Sequence, residues 1–257
     1  MRAKEHLMKS VRSSGLLVIA IGLASWALIS AEQPRASADA PHAASDHAAD
    51  VVAPAEAMHR LVDGNERFVR QKMAAAHQDA SRREALAKGQ RPFAIVLGCA
   101  DSRVPPELVF DQGLGDLFVI RVAGEVAPPE VLGSIDYAVE HLGCRTIIVL
   151  GHERCGAVEA ALQVPAGTTP EGNLGELIKD ILPAIEKIDR KSPDALDAAV
   201  KANAAAVAQT VVSRSKLVGE MAHAGEVVVI PARYDLDTGK VDFMEPVGGA
   251  PSAGGGH

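Results

Sequence analysis

Cysteine is scarce in this chain: 257 residues contain three, Cys99, Cys144 and Cys155. So few thiols cannot knit a disulfide framework, and no Cys-x-x-Cys pair is present to act as a redox dithiol. An excess of positive charge is also missing. Lys and Arg number 26 against 33 Asp and Glu, a net charge of −7. A nucleic-acid binder normally concentrates basic side chains to neutralise phosphates, so no nucleic-acid partner is expected. There is no internal repeat. With 47% hydrophobic and 23% charged residues, the composition excludes a collagen-like, wholly disordered or multi-span membrane protein. The length suits one globular domain, or two small ones, with enough chain to bury a core.

The amino-terminal end has the pattern of an address. Arg2, Lys4, Lys9 and Arg12 precede an uncharged stretch, Ser13 to Ala31, and small-residue sites such as Ala36-Ser37-Ala38 follow. Residues 1–31 therefore read as a secretory signal, with cleavage as late as residue 40. The competing reading is an uncleaved anchor, since the stretch borders on the roughly 20 residues that span a bilayer. A membrane association is expected only in that case. Twin arginines before the apolar run are absent, which favours the general secretory route, and no cysteine follows it to carry a lipid. Either way the domain is expected to be periplasmic or secreted. Residues 32–56, rich in Ala, Asp, His and Pro, read as a disordered linker, and the Gly-rich end 248–257 as a disordered tail.

Between these ends the pattern alternates. Pro92 to Gly98, Leu117 to Ile120, Thr146 to Leu150 and Glu226 to Ile230 are short apolar runs that read as buried strands. Met58, Leu61, Val62, Phe68 and Val69 fall at helical spacing, with Gly64 as a weak point. Val131, Leu132, Ile135, Ala138, Val139 and Leu142 trace one face of a helix that Gly143 ends. Ser192-Pro193-Asp194 reads as a cap opening a helix with Leu196, Val200, Val207 and Val211 inward. Tyr234 to Val241 reads as a hairpin. The expected fold is α/β: a mainly parallel central sheet flanked by helices, with an antiparallel C-terminal edge strand.

Chemistry-bearing residues follow two of the strands. Cys99-Ala-Asp-Ser-Arg103 comes directly after the first, and His152-Glu-Arg-Cys-Gly156 directly after the third. In an open parallel sheet ligands gather at the carboxyl ends of the strands. If those strands are neighbours, Cys99, His152 and Cys155 converge without long loops. Two thiolates and an imidazole suit zinc, whose catalytic sites keep a fourth position for water or substrate. Cys155 also stands at a predicted helix start, which favours its thiolate. Asp101 is the candidate fourth ligand and Arg103 its partner on the same loop. Cys144, ahead of a strand at the opposite edge, reads as packing.

Cys99-Ala-Asp-Ser-Arg-Val104 and Gly151-His-Glu-Arg-Cys-Gly-Ala157 resemble the paired signatures of β-class carbonic anhydrases. The resemblance continues through Asp111 to Gly124, Gly133 to Val139 and the Tyr-Asp hairpin, so the domain is drawn at 57–247. It implies one zinc ion per subunit held by Cys99, His152 and Cys155, with Asp101 and Arg103 as a gating dyad and Asp101 the fourth ligand in a closed state. It implies reversible hydration of CO2 to bicarbonate and a proton through zinc-bound hydroxide, in a dimer or tetramer. Gln90 matches the substrate-binding amide of the plant-like branch. Phe118 and Tyr137 match aromatic positions lining a pocket between two subunits. Where many relatives carry asparagines, this chain has Val122 and Glu125. Two alternatives stay open: a hydrolase of CS2 or COS on the same fold, and a non-catalytic zinc protein in which Asp101 permanently closes the shell.

Overall fold

The computed structural model describes residues 51–248 apart from 166 and 169. The signal segment, residues 32–50 of the expected linker and the tail from 249 onward lie outside the described residues. Among the described residues no helix is long and apolar enough to cross a membrane.

The first helix, α1 (Pro54–Val69), carries proline in its first turn, where the missing N–H costs no helical bond. It thus begins within the stretch assigned to the linker. Gly64 proves to be a contact point and not a weak one. A Cβ there would lie 1.8 Å from the carbonyl oxygen of Phe110, so α1 reaches that chain only because the side chain is missing. One turn position on, Asn65 Nδ2 donates to the carbonyls of Val109 and Gly239, and its Oδ1 accepts from the N–H of Val241. A short helix α2 (Ala80–Leu86), capped by Asp79, precedes the sheet.

The strands are β1 (Ala94–Gly98), β2 (Leu117–Arg121), β3 (Thr146–His152), β4 (Val228–Tyr234) and β5 (Val241–Phe243). They lie in the order β2-β1-β3-β4-β5. The first four are parallel and β5 runs antiparallel to β4, as the sequence led one to expect. β1, β3 and β4 are buried along their whole length, which is why they read as continuous apolar runs. Alternate side chains feed two layers. Ile95, Leu97, Ile147, Val149 and Val229 pack with α4 (Pro129–Glu140), α7 (Ala195–Arg214) and α8 (Lys216–His223). Ala94, Val96, Ile148, Leu150 and Ile230 pack beneath α1 and α3 (Pro106–Val109). A third cluster joins α5 (Gly156–Gln163), α6 (Gly172–Ile185) and α7 around Cys99 and Cys155.

Several boundaries differ from the sequence pattern, β4 and α7 in the most telling way. β4 starts later and runs on past Ile230 to Tyr234, because Pro231 is tolerated in register and Arg233 is buried against the carboxylates of Asp197 and Asp235. α7 begins at Ala195 with Asp194 at its cap position. Ser192 forms the preceding turn, accepting the N–H of Ala195 on its carbonyl. Gly143, with φ at 73°, does sit in left-handed backbone just beyond α4.

Candidate metal centre

β1 and β3 are direct neighbours, with Gly98 opposite Leu150, so their carboxyl ends open side by side. Cys99 is the first residue past β1, His152 the last of β3, and Cys155 the cap residue of α5. All three are buried. Their donor atoms lie within 4.8 Å of one another, and the two sulfurs are 4.0 Å apart. His152 Nδ1 donates to the carbonyl of Glu153 at 2.9 Å. That bond commits Nδ1 as the donor, so in the neutral ring Nε2 carries the lone pair; it is buried and without a hydrogen-bond partner. A lone pair left so would be costly in a core with nothing to receive it. With two sulfurs beside it, the set fits a tetrahedral zinc ion and leaves that ion one further position.

Electrostatics agree. The hydrogen bond from Cys155 holds the Cys99 thiol far below the ordinary thiol range, and the same bond pushes Cys155 up. The two sulfurs thus share one proton, which a divalent cation would displace. Gly124 N–H also points at Cys99 Sγ, at 3.4 Å.

The loop after β1 presents Asp101. Arg103 grips its carboxylate with both arms, Nε to Oδ1 at 2.9 Å and Nη2 to Oδ2 at 2.7 Å, while the Arg103 backbone N–H adds a third bond to Oδ1. That guanidinium holds Asp101 at about 2. Asp101 Oδ2 is 3.8 Å from His152 Nε2, beside the donor set yet committed to arginine. Arg103 Nη2 also reaches the carbonyl of Arg154 at 3.3 Å, tying the two loops together, and Arg154 in turn binds Asp237.

One contributor escaped the sequence pattern. Arg121, ending β2, donates from Nε to the carbonyl of Cys99 at 2.9 Å and from Nη2 to that of Asp101 at 2.5 Å. A base directly after the apolar run Leu117 to Ile120, at the same sheet edge, was the available signal.

The remaining candidates stand elsewhere in the single chain. Gln90 precedes β1, at the opposite edge of the sheet, and lines a small cavity with Val52, Arg91 and His141. Phe118 pairs opposite Ile95 and packs with Tyr137, ring centres 6.3 Å apart. Tyr137 is 47% exposed. The chain by itself does not bring these three to the Cys-His-Cys group. Cys144 is a packing residue as expected: its thiol donates to the carbonyl of Pro92 at 3.1 Å, and burial pushes it up to about 12. A second acidic group, Glu153, Asp235 and Asp237, already faces Arg154 and Arg233.

The family model described as carbonic anhydrase matches residues 94–241, which span both ligand loops. The chain belongs to the β-carbonic anhydrase family. It is 38% identical over 196 residues to carbonic anhydrase 2 of Mycobacterium tuberculosis, covering 76% of this chain and 95% of that protein. To the carbonic anhydrase of Mycolicibacterium smegmatis it is 40% identical over 199 residues, with the same coverage. Among solved structures, the Coccomyxa β-carbonic anhydrase in complex with acetazolamide superposes with a TM-score of 0.60 at 29% identity, covering 76% of this chain and 89% of that one. A chain from the crystal structures of two tetrameric β-carbonic anhydrases of Sordaria macrospora shares the fold, at 23% identity and TM-score 0.57, covering 74% of this chain and 98% of that one. β-Carbonic anhydrases are zinc enzymes, and Cys99, His152 and Cys155 are the group that could hold that ion here.

Proposed function

We propose that this protein catalyses the reversible hydration of CO2 to bicarbonate and a proton, with Cys99, His152 and Cys155 holding zinc and Asp101 and Arg103 gating it. The observation that carries this reading is the buried, unpartnered Nε2 of His152 facing two sulfurs, with Asp101 kept aside by Arg103. Zinc, when bound, supplies a Lewis acid that makes water nucleophilic near neutral pH. The rest falls to side chains. Arg103 keeps Asp101 ionised and off the metal. Asp101 then accepts a hydrogen bond from the reacting water and orients its lone pair toward carbon. Self-association brings Gln90 of the plant-like pattern to bicarbonate as an amide donor, with Phe118 and Tyr137 walling the pocket. A purely structural metal site has no use for a group that restrains its would-be fourth ligand, which favours an enzyme over a scaffold.

Stopped-flow CO2 hydration with a pH indicator tests this, run beside sulfide release from CS2 and COS on the same zinc-loaded protein. Hydration with no sulfide is the expected result, and sulfide without hydration overturns the substrate.

The same proposal places the domain outside the cytoplasm, as a periplasmic or secreted protein, supported by the basic and apolar order of residues 1–31. Trp26, the single tryptophan, lies in that segment. Mature protein from its own host should therefore lack indole fluorescence; an indole signal from washed protein would mean the segment is retained as an anchor.

A further inference from the structure

Beside the ligand set lies a buried polar group that hydration, as derived above, does not use. The short turn 123–125, between β2 and α4, holds two residues in left-handed backbone, Gly124 with φ at 67° and Glu125 with φ at 42°. Glycine accepts that geometry, and at Gly124 a Cβ would come within 2.8 Å of Ile181 Cδ1. Glu125 has a Cβ and is held there against its preference. What holds it is Asn203 on α7, whose Nδ2 donates to the carbonyl of Gly124 at 2.8 Å and to Glu125 Oε1 at 2.9 Å. Both side chains are fully buried. α7 can come this close because β3 offers Gly151, where a Cβ would sit 3.2 Å from Glu125 Oε1 and 3.3 Å from Ala204 and Val200. Along that helix face the neighbours are Ala199, Val200, Ala204 and Val207, where an apolar side chain would pack without needing a partner. The turn so pinned is the one that aims Gly124 N–H at Cys99 Sγ.

We propose that Asn203 is a positioning residue of the metal centre: by clamping Gly124 and Glu125 in their left-handed turn, it keeps the Gly124 N–H on Cys99 Sγ and so sets how that sulfur meets the ion. This rests on the zinc reading of the Cys-His-Cys group. An N–H···S bond draws charge from the sulfur and fixes the direction of its lone pairs. Partners one step behind a ligand are worth about ten- to a hundredfold in metal affinity.

The test compares zinc-loaded wild-type protein with Asn203→Leu, Asn203→Asp and Glu125→Gln. Leucine fills the space and cannot donate. Aspartate keeps the shape and turns an acceptor toward the Gly124 carbonyl. Zinc affinity is read by competition with a chromophoric chelator, and the thiolate-to-metal absorption band is read after exchange to cobalt. Both Asn203 variants are expected to hold zinc about ten- to a hundredfold more weakly. Their cobalt band should move to lower energy, because a sulfur relieved of its N–H gives up electrons more easily. Glu125→Gln should keep both properties, since its amide oxygen still accepts from Asn203. If Asn203→Leu fails to fold, the aspartate variant decides. Wild-type affinity and band position in Asn203→Asp would overturn the proposal, even with lowered thermal stability, by making Asn203 a packing residue. A loss in Glu125→Gln equal to that in Asn203→Asp would also overturn it, because the carboxyl and not the clamp would then act. Wild-type protein that takes up no zinc overturns the metal reading and this inference together, whereas tight wild-type uptake with unchanged variants removes only the clamp.

Discussion

In the proposed mechanism, Asp101 is the single side chain that decides between an open and a closed centre. Arg103→Ala removes all of its guanidinium bonds and frees a carboxylate that already stands 3.8 Å from His152 Nε2. Losing charge-assisted bonds of this kind costs about 1.5–3 kcal/mol, so CO2 turnover should fall about ten- to a hundredfold while zinc content is unchanged. Zinc analysis beside the hydration assay checks this, and loss of the metal would show the pair to be structural. Glu125 offers a second single-residue test. Burial pushes its carboxyl up to about 8, against about 4.3 in an open chain. Between those values the folded protein keeps a proton that the unfolded chain releases, so the stability present at acid pH drains away as pH rises toward 8. Glu125→Gln has no proton to lose. Its urea midpoint, relative to wild type in metal-free protein, should climb from pH 5 to pH 9; parallel curves would refute the raised carboxyl. The Cys-His-Cys group was legible because its sulfur and imidazole come at or just past the ends of apolar runs. Asn203 was not, since its partners are supplied by packing between α7 and a turn far away in sequence.

At the scale of elements, apolar runs announced the strands because those strands are buried on both faces. Their ends were harder to read. β4 passes through Pro231, which normally stops a strand, and through the buried charge of Arg233, which ion pairs to Asp197 and Asp235 compensate only in the folded chain. Gly64 shows the same limit. In sequence it looks like a flaw in a helix, and in the fold it is the point where α1 meets the Phe110 backbone. Gly64→Ala gains helix propensity yet drives a methyl into a carbonyl oxygen, so it should destabilise by about 1–3 kcal/mol or more. Thermal unfolding reads the difference, and an unchanged or raised midpoint would mean that α1 moves aside freely.

For the molecule as a whole, β2 is one end of the sheet, with β1 beside it and half-buried Phe118, Val119 and Ile120 along its length. Such an edge is a template for further pairing. Tyr137, packed on Phe118 and half exposed, adds apolar surface beside it. Dimers or tetramers are therefore expected by sedimentation at micromolar concentration, and a strict monomer would leave Gln90 without a route to the centre.

Cys99 and Cys155 lie 56 positions apart and meet only once β1 and β3 have paired. Ion capture therefore reports the late, long-range stage of folding. During refolding in the presence of a zinc-sensitive dye, uptake should lag behind helix formation and keep pace with the closing of the sheet.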